Sequence, residues 1–479
     1  MHKELVELRH VLQVLKYNNN TLSDTEVFLE NICKSIEDEY YETKHNYLLE
    51  NKNECVKAFS SCSREISEMC KELACQECPV KKWCNRFREN RQIQEETREG
   101  YVFADFFCGA GGLSIGFDQE GYKLCVANDI QECCIDTYAF NHPETPQKNV
   151  VAADINDVIE NIEKIKRFET VDVVVGGPPC QGFSMANRQR LIDDPRNHLY
   201  KSYIQVVRKL SPKFVVMENV RGILKVADQV IDDFKSIGYD VSVRLLNAYD
   251  YGVPQQRERA IFIGNNLGID NDSIFEQMVF ESMGVSKHNL SDALFGLPSL
   301  KAKTVKNNTG LECKESGYTI TSCEMDTNEY IDLINEDIFS KLLFNHKARY
   351  NNPRDIEIFS RLNQGDNSAD PKIADIMPYK RREKIFKDKY FKLEIGRPCK
   401  TITAHMKYDC NMYIHPLQAR GLTPREAARV QSYPDDYYFR GAYTKTYMQV
   451  GNSVPPLLSR VIAKIIKEKL NEVNINGSI

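Results

Sequence analysis

The residues with the clearest chemical potential lie in the segment 176–184, which reads Gly-Gly-Pro-Pro-Cys-Gln-Gly-Phe-Ser. The apolar run Val171–Val175 precedes it and predicts a buried parallel strand. Glycine and proline end that strand, and the prolines stiffen the turn, so Cys180 would be held in one orientation past the strand's carboxyl end. An isolated cysteine after a strand is more often a core residue. The rigid turn favours a nucleophile instead.

Three charged side chains stand at the ends of other predicted strands. Glu218 lies near the end of the predicted strand Phe214–Val220. A carboxylate there could protonate or grip a heterocycle, although it could also be a solvated strand end. Arg257 and Arg259 precede the predicted strand Ala260–Ile263 and lie on one face of an extended segment. They could bind a substrate base and nearby phosphates, or they could be surface charges.

A glycine turn follows the predicted strand Tyr101–Phe107 and leads into a helix. Gly109, Gly111 and Gly112 would let a ligand approach the backbone closely at the helix N-terminus. The third position of the dinucleotide fingerprint falls on Ser114, so the pattern for a nicotinamide cofactor is incomplete. The turn therefore predicts a cofactor site without naming the cofactor.

Two aspartates follow the next predicted strands. Asp129 comes after the run Leu124–Ala127 and suits a pair of ribose hydroxyls. Asp154 ends a third short strand and could meet an adenine amino group. Each aspartate could instead be a helix N-cap.

Taken in order, these motifs resemble one family, the bacterial DNA cytosine-5 methyltransferases that use S-adenosylmethionine. Glu-Asn-Val at 218–220 and Gln-Gln-Arg-Glu-Arg at 255–259 belong to the resemblance, together with the glycine turn and the Pro-Pro-Cys-Gln loop. The later segments Leu422–Pro434 and Gln449–Pro456 complete it. The resemblance covers about residues 100 to 470, and its specificity lies in the number of ordered motifs.

The resemblance implies a role for each catalytic candidate. Cys180 would attack carbon 6 of cytosine and thereby make carbon 5 nucleophilic. Glu218 would hold the ring nitrogen and the exocyclic amine, and Arg259 would contact the base carbonyl. Arg257 would steady the loop or a phosphate, and Asn219 would position the cysteine loop.

The resemblance also implies that S-adenosylmethionine is the cofactor. Asp129 matches the ribose-binding acid, although the family often has glutamate at that position. The implied contacts of the cofactor are Phe107, Gly109, Gly111, Gly112, Asp129, Asp154, Ile155, Pro179 and Asn452.

The target base must leave the DNA stack before it can react. The polar segment Gly182–Leu199 is predicted to be a mobile loop that closes over that base. Polar residues dominate between Gly264 and Gly396, where the family has its recognition region. Within it, the basic run Tyr379–Tyr390 could contact phosphates or form a solvated helix face. Phe344–Arg349 is another candidate edge for DNA.

The N-terminal residues 1–98 are predicted to form a helical, cysteine-rich extension. Cys70, Cys75, Cys78 and Cys84 follow the spacing C-x4-C-x2-C-x5-C, with Cys55 and Cys62 upstream. Nothing at the N-terminus resembles a secretory signal, so metal binding is favoured over disulfides. A [4Fe–4S] cluster and a four-cysteine zinc site stay open, and the alternative is a metal-free helical segment.

The length of 479 residues and a hydrophobic fraction of 42% allow two or three domains with a substantial core. The predicted fold class is α/β, a Rossmann-like methyltransferase fold with a smaller recognition domain. The predicted divisions are the extension 1–98, the catalytic domain 99–265, the recognition domain 266–395 and the C-terminal motifs 396–479. The helix after Pro456 is expected to return to the catalytic domain.

The net charge of -5 argues against a broadly basic DNA-coating protein but leaves room for a local basic cleft. We expect a monomer in the bacterial cytoplasm, at the nucleoid and not at a membrane. Its expected partners are double-stranded DNA and, acting separately, a cognate restriction endonuclease. The alternatives are the tRNA-methylating branch of the family and an inactive DNA-binding homologue.

Overall fold

The structure is a computed structural model, and it describes residues 100–142, 145–179, 199–306, 312–322, 325–336, 342–378 and 389–476. The strands are β1 (Val102–Phe106), β2 (Lys123–Asp129), β3 (Val150–Ala152), β4 (Val173–Gly176), β5 (Phe214–Val220), β6 (Asp240–Asn247), β7 (Gln255–Gln256), β8 (Glu258–Asn265), β9 (Ile320–Ser322), β10 (Leu342–Phe344) and β11 (Cys399–Lys400).

The helices alternate with the strands in the first half of the described chain and predominate in the second. They are α1 (Gly112–Gln119), α2 (Glu132–Asn141), α3 (Ile155–Ile165), α4 (Leu199–Leu210), α5 (Ala227–Lys235), α6 (Asn271–Met283), α7 (Leu290–Leu294), α8 (Glu329–Ile334), α9 (Pro353–Arg361), α10 (Pro424–Val430), α11 (Tyr443–Asn452) and α12 (Pro456–Asn476). None of these helices combines the length and the apolar character that a membrane crossing requires.

Seven strands form the central sheet, in the spatial order β3-β2-β1-β4-β5-β8-β6. The pairs from β3 to β5 are parallel, whereas β8 pairs antiparallel with both β5 and β6. The chain winds outward from β1 to β3 and then returns to place β4 on the other side of β1. The strand order therefore reverses between β1 and β4, and open sheets bind ligands at such a point.

The predicted α/β fold class is confirmed, and the apolar runs became buried strands. Every residue of β1 and β4 is buried, as expected for central parallel strands that are covered on both faces. The strand predicted at Val171–Val175 begins two residues later, at Val173. The sequence analysis did not predict β6, whose buried and partly exposed residues mix as is typical of an edge strand.

Helices cover both faces of the sheet. One core contains α3, α4 and α5, while a larger core contains α1, α6 and α12. Tyr122, just after α1, donates a hydrogen bond to the carbonyl of Ala463 in α12 at 3.0 Å. The final helix therefore lies against the first helix of the sheet domain.

The segment before the C-terminal motifs packs on those motifs through buried arginines. Arg425 donates from Nε to the carbonyl of Phe344 in β10 at 2.8 Å. Arg429 pairs with Asp435 at 2.7 Å and also donates to the carbonyl of Phe295. These long side chains connect α10 with the paired strands β9 and β10 and with α7.

Candidate functional site

The glycine turn after β1 lies at the strand-order reversal and has left-handed backbone geometry. Phe107, Gly109 and Gly111 have φ values of 58°, 55° and 84°. Among the described residues, a Cβ placed on Gly109 would meet no atom within 4 Å. Open space of this kind, beside backbone N–H groups at a helix start, is what a bound ligand needs.

The next two glycines serve internal packing. A Cβ on Gly111 would lie 2.8 Å from the hydroxyl oxygen of Tyr437. A Cβ on Gly112 would lie 2.1 Å from Oγ of Ser453 and 2.2 Å from the carbonyl oxygen of Val454. The predicted glycine turn is thus divided, since Gly109 faces open space while Gly111 and Gly112 let the C-terminal segments approach the turn.

Asp129, at the end of β2, is bound to this turn. Its Oδ2 accepts a hydrogen bond from the backbone N–H of Gly109 at 3.0 Å, and its Oδ1 accepts one from Gln131 at 2.7 Å. Burial raises the pKa of the Asp129 carboxyl above its ordinary value. The sequence analysis missed the neighbouring Ile130, whose side chain is 62% exposed and could cover a flat ring. The signal in the sequence that could have identified Ile130 is its position, directly after an acid at the end of a strand.

Asp154 caps helix α3. Its Oδ1 accepts hydrogen bonds from the backbone and side-chain nitrogens of Asn156, both at 2.9 Å. The cap was the alternative interpretation of this residue, and contact with an adenine through Oδ2 stays a prediction. Ile155 is only 3% exposed and packs in the core, so any contact it makes with a ligand would come from its backbone.

A buried acid that the sequence analysis did not single out lies directly below the turn. Asp105 in β1 has no exposure, and burial raises its pKa to about 8. Its Oδ2 accepts a hydrogen bond from Ser114, which in turn accepts one from Tyr138. Its Oδ1 has no hydrogen-bond partner among the described residues. An acid within an otherwise apolar strand was the signal that could have revealed it.

The segment leading to Cys180 is held by Asn219. The amide nitrogen of Asn219 donates to the carbonyl of Pro178 at 2.9 Å, and its oxygen accepts from the backbone of Val220. Pro178 is buried and Pro179 is exposed, so the chain emerges from the sheet edge at this point. Cys180 and the predicted mobile loop up to residue 198 lie outside the described residues.

Glu218 and Arg259 form an ion pair beside that segment. The Nε of Arg259 lies 2.8 Å from Oε1 of Glu218, and the two side chains are 14% and 10% exposed. The antiparallel register of β5 and β8 produces the pair. Arg259 stands opposite Val220, and Glu218 lies two residues before Val220 on the same face of β5. A Cβ on Gly177 would be 3.2 Å from Oε2 of Glu218, so the carboxylate borders the turn before Cys180.

Arg257 is fully buried and bonded to the protein backbone. Its guanidinium donates to the carbonyls of Ile402 at 2.7 Å, Gly451 at 3.2 Å and Ser453 at 2.7 Å. Burial, helped by the charge of Arg259, lowers the pKa of Arg257. Of the two implied roles, the phosphate contact is wrong for this arrangement because no part of the side chain reaches the surface. Arg257 instead connects the start of β8 to Gly451 and Ser453. The exposed Asn452 lies between those two residues.

Two glutamines reinforce the same connection. Gln255 accepts a hydrogen bond from the backbone of Ile402 at 2.6 Å and donates to Gln431 at 2.8 Å. Gln431 then donates to the carbonyl of Val450 at 2.8 Å. The late sequence motifs therefore converge on β7 and on Arg257, which lies between β7 and β8.

One of the two proposed DNA edges is corrected by the structure. Phe344–Ala348 is buried, with exposures from 0% to 6%, and Arg349 donates inward to the carbonyls of Met406 and Tyr408. The charged composition of Phe344–Arg349 reflects internal contacts, so the prediction of a DNA edge there is wrong. In the basic run, residues 379–388 lie outside the described part of the chain, and Tyr390 is buried against Asp355.

The described ranges contain no group of three or more histidine, cysteine or acidic residues arranged to hold a metal. The four predicted metal ligands, Cys70, Cys75, Cys78 and Cys84, lie outside those ranges.

Comparisons with known proteins agree with the sequence resemblance. A family model described as C-5 cytosine-specific DNA methylase matches residues 101–468. The type II methyltransferase M1.HphI of Haemophilus parahaemolyticus is 32% identical over 388 residues, which cover 78% of this chain and 88% of that protein. The type II methyltransferase M.XorII of Xanthomonas oryzae is 34% identical over 390 residues, which cover 77% of this chain and 85% of that protein.

A solved structure is similar in fold. It is a protein from an Escherichia coli prophage, assigned as a DNA modification methyltransferase. It superposes with a TM-score of 0.59 at 25% sequence identity, covering 78% of this chain and all of that one.

Proposed function

The chain belongs to the C-5 cytosine-specific DNA methylase family, and we propose that it methylates carbon 5 of cytosine within one specific double-stranded DNA sequence. The observation that carries the proposal is the arrangement around Asn219. This side chain holds the carbonyl of Pro178, two residues before the cysteine, while the adjacent Glu218 is paired with Arg259. An acid and a cation therefore lie at the sheet edge from which the chain runs on, through Pro178, towards the cysteine.

The reaction needs a nucleophile because carbon 5 of cytosine is too weakly nucleophilic to take a methyl group directly. Attack of the Cys180 thiolate on carbon 6 forms a carbon–sulfur bond and moves electron density to carbon 5. After methylation, loss of the carbon 5 proton and departure of the thiolate restore the aromatic ring. We assign no residue to that last proton removal.

Glu218 and Arg259 would bind the edge of the base. Glu218 would protonate or hydrogen-bond the ring nitrogen as the thiolate adds, which offsets the charge that develops on the ring. Arg259 would donate to the base carbonyl. Their ion pair supports this assignment, because an acid and a cation that lie side by side could bind neighbouring groups of one base.

The residues at the glycine turn fit an adenosyl cofactor. The open space at Gly109 and the strand-end carboxylate of Asp129 suit a ribose. Asp154, the backbone of Ile155, Pro179 and Phe107 would contact the adenine, and Asn452 would close the pocket. S-adenosylmethionine, when bound there, supplies an electrophilic methyl group.

The target cytosine must be extruded from the duplex to reach this edge. We propose that the polar loop 182–199 closes over it and that residues 266–395 contribute most of the sequence recognition. The type II names of the relatives favour a restriction–modification pair, in which a separate endonuclease cuts the same sequence when it is unmethylated. A protein that methylates chromosomal DNA would act in the bacterial cytoplasm, at the nucleoid. We propose that it acts as a monomer.

A base-resolution map of 5-methylcytosine tests the proposal. The full chain is expressed in a bacterial host that lacks cytosine methylation, beside Cys180→Ala and, as a matched control, Cys313→Ala, which changes an exposed free cysteine. We expect one short methylated motif with the wild type and the control, and none with Cys180→Ala. Methylation by Cys180→Ala would contradict the mechanism, and an unmethylated genome beside well-expressed wild-type protein would contradict the function.

We also propose that Cys70, Cys75, Cys78 and Cys84 bind a metal, either one zinc ion or a [4Fe–4S] cluster. The cysteine spacing is the support for this site. Metal and sulfide analysis of the full chain, purified without oxygen, distinguishes the two. Cys75→Ser with Cys78→Ser should remove the metal and Cys313→Ser should retain it, whereas wild-type protein without metal would contradict the proposal.

A further inference from the structure

Helix α6 has apolar side chains on two opposite faces. Ile274, Phe275 and Met278 point into the core and are at most 3% exposed. On the other face, Phe280 and Met283 are 74% and 77% exposed. Large apolar side chains that cluster on the solvent face of a helix often mark an interaction site, so the outer face of α6 is expected to have a partner.

The outer face forms a continuous patch. Val279, Phe280 and Met283 are adjacent on a helical surface, and Val279 is 48% exposed. The other large apolar side chains that are exposed in the described part of the chain are separated widely in sequence, at positions 130, 295, 305, 408, 417 and 475. We name the three clustered residues the α6 patch.

The described chain begins against α12, a helix that also contacts α6. The hydroxyl of Tyr101 donates to Asn471 at 2.8 Å and accepts from Asn474 at 2.9 Å, and both asparagines lie in α12. Within one turn of Asn471, Glu468 accepts a hydrogen bond from Gln277 of α6 at 2.6 Å. The first described residues therefore lie on α12, which contacts the helix that carries the patch.

The N-terminal sequence has a complementary apolar stripe. Leu5, Leu8, Leu12 and Leu15 recur at spacings of three and four, which predicts one apolar face of a helix. Such a stripe needs a partner surface as much as the α6 patch does.

The charges beside the two surfaces are of opposite sign. Asp272 and Glu276 lie on the outer face of α6, and both are exposed. Asp272 is paired with Arg244 at 2.8 Å, so the negative charge that docking would use is that of Glu276. Arg9 and Lys16 flank the leucine stripe on one side when the segment is drawn as a helix. Docking would bring these charges near one another.

We propose that the α6 patch is the docking surface for the N-terminal extension of the same chain, which binds it through the Leu5–Leu15 stripe. The inference concerns the architecture of the full chain and is independent of the methylation reaction. It would place the cysteine-rich extension against the α6–α12 face of the catalytic domain.

Site-specific photo-crosslinking of the full chain tests this docking. p-Benzoylphenylalanine replaces the exposed Glu276, one turn from Phe280, and the crosslinked peptides are identified by mass spectrometry. We expect an intramolecular crosslink to residues 1–20. Phe280→Glu with Met283→Glu should reduce its yield by about tenfold, as should Leu8→Glu with Leu12→Glu.

Leu417→Glu is the matched control, because Leu417 is 69% exposed but lies outside the patch. Its crosslink yield should equal that of the otherwise unmodified chain. A crosslink to a second copy of the chain, seen as a product of doubled mass, would overturn the proposal. So would a crosslink that is absent, or one that survives the changes in the patch and in the leucine stripe.

Discussion

The Nε of Arg259 lies 2.8 Å from Oε1 of Glu218, at the point where β8 runs antiparallel to β5. Both side chains are largely buried, so each holds the other in place before any base is bound. Groups fixed in this way need little reorganisation during a reaction, which is how preorganised charges contribute most to catalysis. The pair also explains how a carboxylate can lie at a sheet edge that is largely closed to water, because Arg259 supplies the opposite charge.

Glu218→Gln should preserve the shape of this site but remove both the acid and the ion pair. We expect kcat for methyl transfer to fall by about 100-fold or more, which is typical for the loss of a positioned acid or base. Binding of S-adenosylmethionine should change little, because Glu218 lies away from the glycine turn. Single-turnover kinetics and equilibrium cofactor binding measure the two effects separately.

The control for this substitution is Glu258→Gln, which neutralises a more exposed glutamate, paired with Arg221. Exposed ion pairs contribute little to stability, so this variant should behave as the wild type. Equal activity of Glu218→Gln and Glu258→Gln would show that Glu218 is not an acid in the reaction.

Arg257→Lys should impair the protein although the charge is conserved. Lysine cannot reproduce the fork that reaches the carbonyls of Ile402, Gly451 and Ser453, so buried acceptors would lose their donors. We expect the free energy of unfolding to fall by about 2–4 kcal/mol and cofactor affinity to weaken. Chemical denaturation and calorimetry check these effects. A fully stable variant with weakened DNA binding alone would favour a phosphate contact instead.

Alanine at two positions of the glycine turn should give different defects. Gly112→Ala would place a Cβ 2.1 Å from Oγ of Ser453 and should destabilise the fold. Gly109→Ala meets no protein atom, so its cost in stability should be limited to about 1–2 kcal/mol of left-handed backbone strain. Cofactor affinity should fall in Gly109→Ala, because the new methyl group occupies the open space. Thermal unfolding and cofactor titration of both variants separate these outcomes, and identical defects would argue against a ligand at Gly109.

Acid should weaken the contact between the recognition segment and the C-terminal motifs. Burial and, to a smaller extent, the charge of Arg420 lower the pKa values of His346 and His415 to about 4, against the opposing charge of Glu426. The unfolded chain, with a histidine pKa of about 6.5, binds more protons between these values. The contribution of these histidines to the free energy of unfolding should therefore be fully present above about pH 6.5. It should fall towards pH 4, by at most about 1.4 kcal/mol per histidine per pH unit.

Denaturant unfolding between pH 7 and pH 4 measures this slope. His415→Gln should reduce it, whereas His405→Gln changes an exposed histidine and should leave it intact. The carboxyl of Glu426, whose pKa the adjacent Arg420 helps to lower, should add a further loss only at lower pH. A slope that is unchanged in His415→Gln would contradict the assignment.

The sequence predicted local features well because apolar runs determine the buried strands. The ends of β1, β4 and β5, and therefore the positions of Glu218 and Asn219, followed from hydrophobic pattern and turn residues alone. The strand alternation also predicted that Arg257 and Arg259 share one face, which stays a prediction. It could not show that Arg257 is buried, because its partners Gly451 and Ser453 return from nearly two hundred residues away.

The failures to predict the burial of Phe344–Arg349 and the role of Asp105 have the same physical origin. Phe344–Arg349 resembles a surface segment in composition, but Arg425 and Thr423 cover it from a distant part of the chain. Asp105 was read as part of an apolar strand, since nothing local reports the hydrogen bond from Ser114. Long-range packing decides burial, and one unaligned sequence does not contain it.

The central claim is that Cys180 attacks carbon 6 of the target cytosine. The most direct test uses a duplex that carries the mapped recognition sequence with 5-fluorocytosine at the target position. Fluorine cannot leave as the carbon 5 proton does, so methyl transfer should trap the protein on DNA. We expect a denaturation-resistant complex whose modified peptide contains Cys180, and none with Cys180→Ala. An active wild-type protein that forms no complex, or forms one through another residue, would contradict the account.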